Sequence, residues 1–366
     1  MGNESSGISV IQLFTIFALM NGLKNHVIIN PMLLDASGRD AWITVLVTGL
    51  LFIGWCLLLN WMSTRSGQRP WKEWLAKSTH PVIMWILMIP IWLNLYLIGA
   101  TTVIHTVTWN TTNYLPGSSA ILLVLALIII CLVLSIWGVR IIAITSGILL
   151  PIVILLGIFV SLANSAEKNF QLLKPILEYG WEPVRNGMIY AAGGFSEMLL
   201  VLLLQHRLTQ KLKTWQFFSY SIFTIIIMMG PILGAITEFG PVEAAKQMTS
   251  PYEQWRLVSI GQYIEHVDFF SIFQWLAGAC VRVSTAVYLL IDTLPIKKSG
   301  HRICTILIVM ASYILLCSIP AINDYTFYLW MYHYSIPISF YVLFSLSIIW
   351  FLITLFAKPL RKAESG

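Results

Sequence analysis

Two short stretches carry polar residues where a long apolar run would otherwise continue. In "FALMNGLKNHVIINP", Asn21, Gly22, Lys24, Asn25 and His26 interrupt a run that begins near Ile8. In "AAGGFSEM", Gly193, Gly194 and Glu197 stand in an equally apolar setting, and Arg282 is alone in "CVRVSTAV". A charge near the middle of a bilayer costs at least ~2.5 kcal/mol on insertion scales unless it is paired or wetted. Adjacent glycines weaken a helix by up to ~1 kcal/mol each relative to alanine and permit non-helical backbone. The pairing therefore predicts that the chain opens at Gly193 and Gly194. Unwound backbone offers N–H and C=O groups to a small zwitterion, and half-helix N-termini favour its carboxylate. Glu197 is then the partner of an ammonium group. The plainer alternatives are that Lys24 and His26 reach outward from the end of a short helix, and that Glu197 contacts a neighbouring helix. Arg282 reads either as the partner of Glu197 or a carbonyl, or as a built-in charge that takes the place of an ion. A fixed cation there opposes sodium through repulsion that a low dielectric strengthens.

The elements that must position these residues are membrane helices. Hydrophobic residues make up 58% of the chain and charged residues 10%, with mean hydropathy +0.80, whereas soluble domains carry roughly 25% charged residues. Apolar runs of membrane-spanning length fall near residues 8–30, 40–62, 81–108, 118–137, 139–162, 184–207, 214–236, 267–291, 303–320 and 337–357. This predicts an all-α polytopic protein, a single transmembrane domain over residues 1–366, with no soluble domain and no low-complexity linker. The first run has no basic residue before it and no small-residue cleavage site after it, so it reads as a retained helix. Alternate connections hold most of the 22 Lys and Arg residues, among them Arg65, Arg69, Lys72, Lys77, Arg207, Lys297 and Lys298, with Lys358, Arg361 and Lys362 in the tail. By the positive-inside rule both termini are cytoplasmic. The interruptions fall in runs one and six of ten, at similar depth. Paired discontinuous helices, one in each half of a five-plus-five inverted repeat, point to a substrate site.

Other chemistries lack support. The net charge of +6 is a topology signal and gives no reason to expect nucleic acid. Cys56, Cys131, Cys280, Cys304 and Cys317 lie in apolar runs without metal-ligand spacing and read as small buried packing residues. "MGNESS" matches a myristoylation pattern and "NTT" at Asn110 a glycosylation acceptor, but both are short and unsupported. There is no phosphate loop, dinucleotide fingerprint or helical His-x-x-x-His, so no metal or cofactor is expected. An intramembrane enzyme would need a histidine beside a nucleophile or acid, and neither His105 nor His333 has one at a suggestive spacing.

Several segments together resemble the endospore germination permease family, the B subunits of spore germinant receptors within the amino acid, polyamine and organocation transporter superfamily. They are "ISVIQLFTI", Pro31 closing the first run, "GVRIIAITSGILLPIVI", "LLKPILEYGWEPVRNG", "GGFSEM" and "YIEHVDFFSIFQW", in order along nearly the whole chain. The resemblance implies a ten-helix fold of the leucine-transporter type, with helices 1 and 6 broken, in the spore inner membrane. It also implies sensing of a small germinant, such as an amino acid or sugar, together with an A subunit and a lipoprotein C subunit. A proton-coupled amino acid transporter, with Glu197 or His26 titrating, is the alternative on the same fold. The chain departs from the family where Lys24, Asn25 and His26 replace a small-residue Gly-Ala-Gly stretch, and where His266 stands in place of an arginine. Lys24 is left either as an anion partner for the ligand or in an internal pair with Glu197. Sodium-coupled relatives of this fold coordinate the ion with hydroxyls of the corresponding helix, so the resemblance implies that Ser284 and Thr285 could do so and that Arg282 replaces the ion.

Overall fold

The computed structural model describes residues 7–259, 267–319 and 323–357. His266, the cations Lys358, Arg361 and Lys362, and "MGNESS" lie outside these residues. In chain order the helices are α1 (Val10–Leu23), α2 (Asn30–Ser37), α3 (Ala41–Arg65), α4 (Trp71–Ser78), α5 (Pro81–Trp109), α6 (Ala120–Trp137), α7 (Val139–Ala163) and α8 (Glu182–Phe195). They continue as α9 (Val201–Leu204), α10 (Thr214–Phe239), α11 (Pro241–Lys246), α12 (Ser250–Arg256), α13 (Phe269–Thr293), α14 (Ser299–Cys317), α15 (Asp324–Trp330) and α16 (Ile336–Phe356). The protein is all-α and polytopic. Nine continuous helical stretches among the described residues are long and apolar enough to cross a membrane. The N-terminal run is divided. Its 14-residue α1 passes into a π turn at Lys24–Ile28, and α2 beyond that turn continues into the stretch containing α3.

Local sequence accounts for these divisions. Ser9 and Gln12 form a reciprocal cap that starts α1, satisfying two otherwise orphaned donors. Pro31 lacks an N–H, and its ring clashes with the carbonyl four residues back, so regular helix is weakened through 27–31, although Pro90, Pro151 and Pro231 stay within continuous helices. The π turn absorbs the misfit, with the Ile29 N–H donating to the Lys24 carbonyl at 2.9 Å.

In the sixth run the expected opening at the glycines does not occur. Gly193 and Gly194 lie within α8, and the irregularity follows them as a 3-10 segment at Ser196–Leu200. The glycines serve close packing instead. A Cβ on Gly194 would collide with the Asn25 side-chain oxygen and lie 2.7 Å from Met228, and one on Gly193 would lie 2.8 Å from Ile336. The Gly193 carbonyl also accepts from Ser196 Oγ and Lys24 Nζ, each at 2.8 Å. Side-chain donors at a helical carbonyl compete with the backbone ladder, which favours the tighter turn.

Helix α13 is the axis of the bundle. In its most apolar window 89% of the residues are buried, against 17% for the stretch containing α7. It packs on α1, α5, α6 and α7. Small residues permit the approach to α1: a Cβ on Gly278 would sit 3.0 Å from Leu23 Cβ, the type of close contact that associates helices where no hydrophobic effect operates. Cys304 is exposed and Cys317 only half-buried, contrary to the buried packing role expected of every cysteine. The reason is that α14 packs on α5, α6 and α13 with one side only.

Candidate ligand site

The π turn of helix 1 (the run from α1 into α2), the 3-10 segment of helix 6 (the run Glu182–Arg207 that begins with α8) and the middle of α13 converge on one buried cluster. Glu197 Oε1 accepts from Lys24 Nζ at 2.8 Å and from Arg282 Nη2 at 2.7 Å, while Oε2 accepts from Arg282 Nη1 at 2.6 Å. The side chains of Glu197, Lys24 and Arg282 are 1%, 2% and 3% exposed, so pairing rather than bulk water compensates the charges. Arg282 also donates from Nε to Thr102 Oγ1 at 3.0 Å and from Nη1 to the Met20 carbonyl at 2.9 Å. Its planar fork thereby fixes α1, α5, α13 and the 3-10 segment in one register, with the bidentate geometry that distinguishes arginine from lysine.

A cavity of about 190 Å³ adjoins the cluster, with Lys24, Glu197 and Arg282 in its wall. Its other walls come from α5 and from the segment running through α15 into α16. Asn94 donates from Nδ2 to Ser339 Oγ at 2.8 Å across it. This volume is below the ~300–1000 Å³ of drug-sized sites and suits a molecule of few heavy atoms.

The profile of a family described as "Spore germination protein" matches residues 7–326. The chain belongs to this family. It is also 40% identical to "Spore germination protein XB" of Bacillus anthracis, over 97% of this chain and 100% of that one. In this spore germination protein, Lys24, Glu197, Arg282 and the Gly193 carbonyl are brought together. Asn21 is buried but turns to Tyr220, its Nδ2 donating to the hydroxyl at 3.2 Å. A Cβ on Gly22 would point into open space, and the residue is absent from the cavity wall. Asn25 packs on Gly194, and neither of its amide atoms has a hydrogen-bond partner among the described residues. His26 Nδ1 lies 3.3 Å from the Ile227 carbonyl. Of the hydroxyls weighed for sodium, Ser284 meets the Cys131 carbonyl at 3.4 Å, and Thr285 has no partner among the described residues.

Several contributors are not announced by sequence. Thr102 and the Met20 carbonyl are ordinary in an apolar helix, and only their reach to Arg282 marks them, whereas Asn94 is a polar amide within the apolar run "IWLNLYL" and could have been singled out on that ground. A second cluster sits where the basic connections gather. Asp292, 5% exposed, meets Arg207 at 2.7 Å, Arg302 at 3.3 Å and His206 at 3.4 Å. Beside it the Ile8 N–H donates to the Arg207 carbonyl at 2.8 Å and the Thr209 N–H to the Ile8 carbonyl at 3.1 Å, strapping the start of helix 1 to the end of helix 6.

Proposed function

We propose that this chain is the membrane subunit of a spore germinant receptor, binding a small germinant in the cavity beside the Lys24–Glu197–Arg282 cluster and triggering germination. The single observation carrying this reading is the coincidence of that buried ionic cluster with a small cavity, in a chain of the spore germination family. Intramembrane charges facing a cavity mark ligand paths. The interruptions of helices 1 and 6 meet at the cluster, consistent with a five-plus-five inverted repeat whose site lies between its halves. In this reading the chain acts with A and C subunits in the spore inner membrane, with both termini cytoplasmic. Both Glu197 oxygens are engaged by cations, which favours a fixed recognition element over a proton carrier and so a receptor over a proton-coupled transporter.

The test uses spores that lack the chain, complemented with wild type or with Ser339→Trp, which fills the cavity. Loss of optical density is followed on a panel of amino acids, sugars and hydroxy acids, with protein level measured by immunoblot. Wild type restores the response to at least one nutrient, while the variant is present at normal level and silent. Equal germination of spores with and without the chain on every nutrient refutes the reading. Uptake of radiolabelled nutrient by the wild type alone would mark a transporter.

A further inference from the structure

We propose that the cavity takes a monoanionic carboxylate lacking a free ammonium group, with its apolar tail lying between α5 and α16. This rests on the reading of the cavity as a germinant site and names the class of molecule that fits it. Lys24 and Arg282 bring two positive charges and Glu197 one negative, so the cluster carries a net single positive charge at bilayer depth. Glu197 is the only acidic residue in the described cavity wall, and both its oxygens already accept from those cations. An incoming ammonium would meet cations and no free acceptor carboxylate, and a zwitterion would leave the net charge where it was. A monoanion neutralises it, which in a low-dielectric site removes an expensive imbalance.

Two further observations define the rest of the ligand. Asn94 is 6% exposed, spends its Nδ2 on Ser339, and has no donor for its Oδ1 among the described residues, although it lines the same cavity. A hydroxyl beside the ligand's carboxylate supplies that donor. The cavity is also walled by Leu93 and Ile338, which are 58% and 57% exposed. Leu93 lies about 18 Å along α5 from Pro81 at a rise of ~1.5 Å per residue, near the middle of a hydrocarbon layer roughly 30 Å thick. The opening at these walls therefore faces lipid, and an apolar tail lies there without desolvation cost.

Leucic acid and leucine share one side chain and differ in carrying a hydroxyl or an ammonium, so together they test the charge argument. Their effect on the unfolding midpoint is measured for the purified full chain in nanodiscs. Leucic acid raises the midpoint saturably, and leucine requires at least about tenfold more for the same shift. Lys24→Met and Leu93→Trp each abolish the leucic acid shift. The second variant alters an exposed wall and keeps the test intact if the first fails to insert. Equal or greater stabilisation by leucine, lost in Leu93→Trp, overturns the inference while retaining the cavity as a binding site. No shift with leucic acid also overturns it, and the spore assay with Ser339→Trp then decides separately whether the receptor reading survives.

Discussion

Glu197 holds the two cations of helix 1 and α13 in place, and its loss has a calculable direction. Glu197→Gln leaves Lys24 and Arg282 side by side without a counter-charge, and breaking a buried pair in this way costs about 3–5 kcal/mol. Adding Lys24→Met removes one of the stranded charges, while Arg282 keeps Thr102 and the Met20 carbonyl. The double variant is therefore more stable than Glu197→Gln alone. Thermal unfolding of the four proteins of this double-mutant cycle measures the coupling, and a single variant as stable as wild type would show the charges to be hydrated rather than paired. The three ionisable members are legible in the sequence because a charge within an apolar run is conspicuous. Their mutual pairing is not, since Lys24 and Glu197 can each be read as facing a ligand until their positions in space are known. Nor does sequence mark Thr102 or a backbone carbonyl as an arginine partner, because nothing in their residue types sets them apart.

At the scale of the element, the glycines of α8 show how one residue type serves two physical ends. Glycine is required both where backbone leaves the helix and where another helix comes close, and sequence alone does not separate these uses. Here the second applies, with Asn25, Ile29 and Met228 crowding Gly194. Gly194→Ala consequently displaces the Asn25, Ile29 and Met228 side chains from their packed positions and costs about 1–3 kcal/mol, as overpacking does. A lowered unfolding midpoint in purified protein checks this, and an unchanged or raised midpoint would mean that the neighbours yield freely. The π turn was partly foreseeable from Pro31 and the polar run before it. The 3-10 segment was not, because it depends on two side chains meeting the Gly193 carbonyl, one of them from a distant part of the chain.

For the molecule as a whole, burial separates an inner set of helices, dominated by α13 and α8, from outer ones such as α7 whose apolar faces remain exposed. Composition and run length made the all-α membrane class legible, since they reflect the solvent the chain must satisfy. The Asp292 cluster was illegible because its partners come from separate segments and each resembles an ordinary loop charge. The orientation has a direct test. Single cysteines are placed at Lys77, Lys297 and Glu243, all exposed, in a chain whose exposed Cys304 and half-buried Cys317 have been replaced. An impermeant thiol reagent applied outside the cell labels the Glu243 position and spares the other two. The reverse pattern would invert the topology and place the strap at Ile8 on the outer side.

The pairing of Lys24 with Glu197 also imposes an order on biosynthesis. The partners are separated by 173 positions, so at a synthesis rate of about 5–20 residues per second roughly 9–35 s pass before the carboxylate follows the ammonium out of the ribosome. Arg282, which clasps the Met20 carbonyl, arrives later still. During that interval the first helix carries an unmatched cation and lacks the strap from the end of helix 6. It must wait at the edge of the bilayer or within the insertion machinery, and the nascent protein is most vulnerable to quality control while its first and sixth helices are still unacquainted.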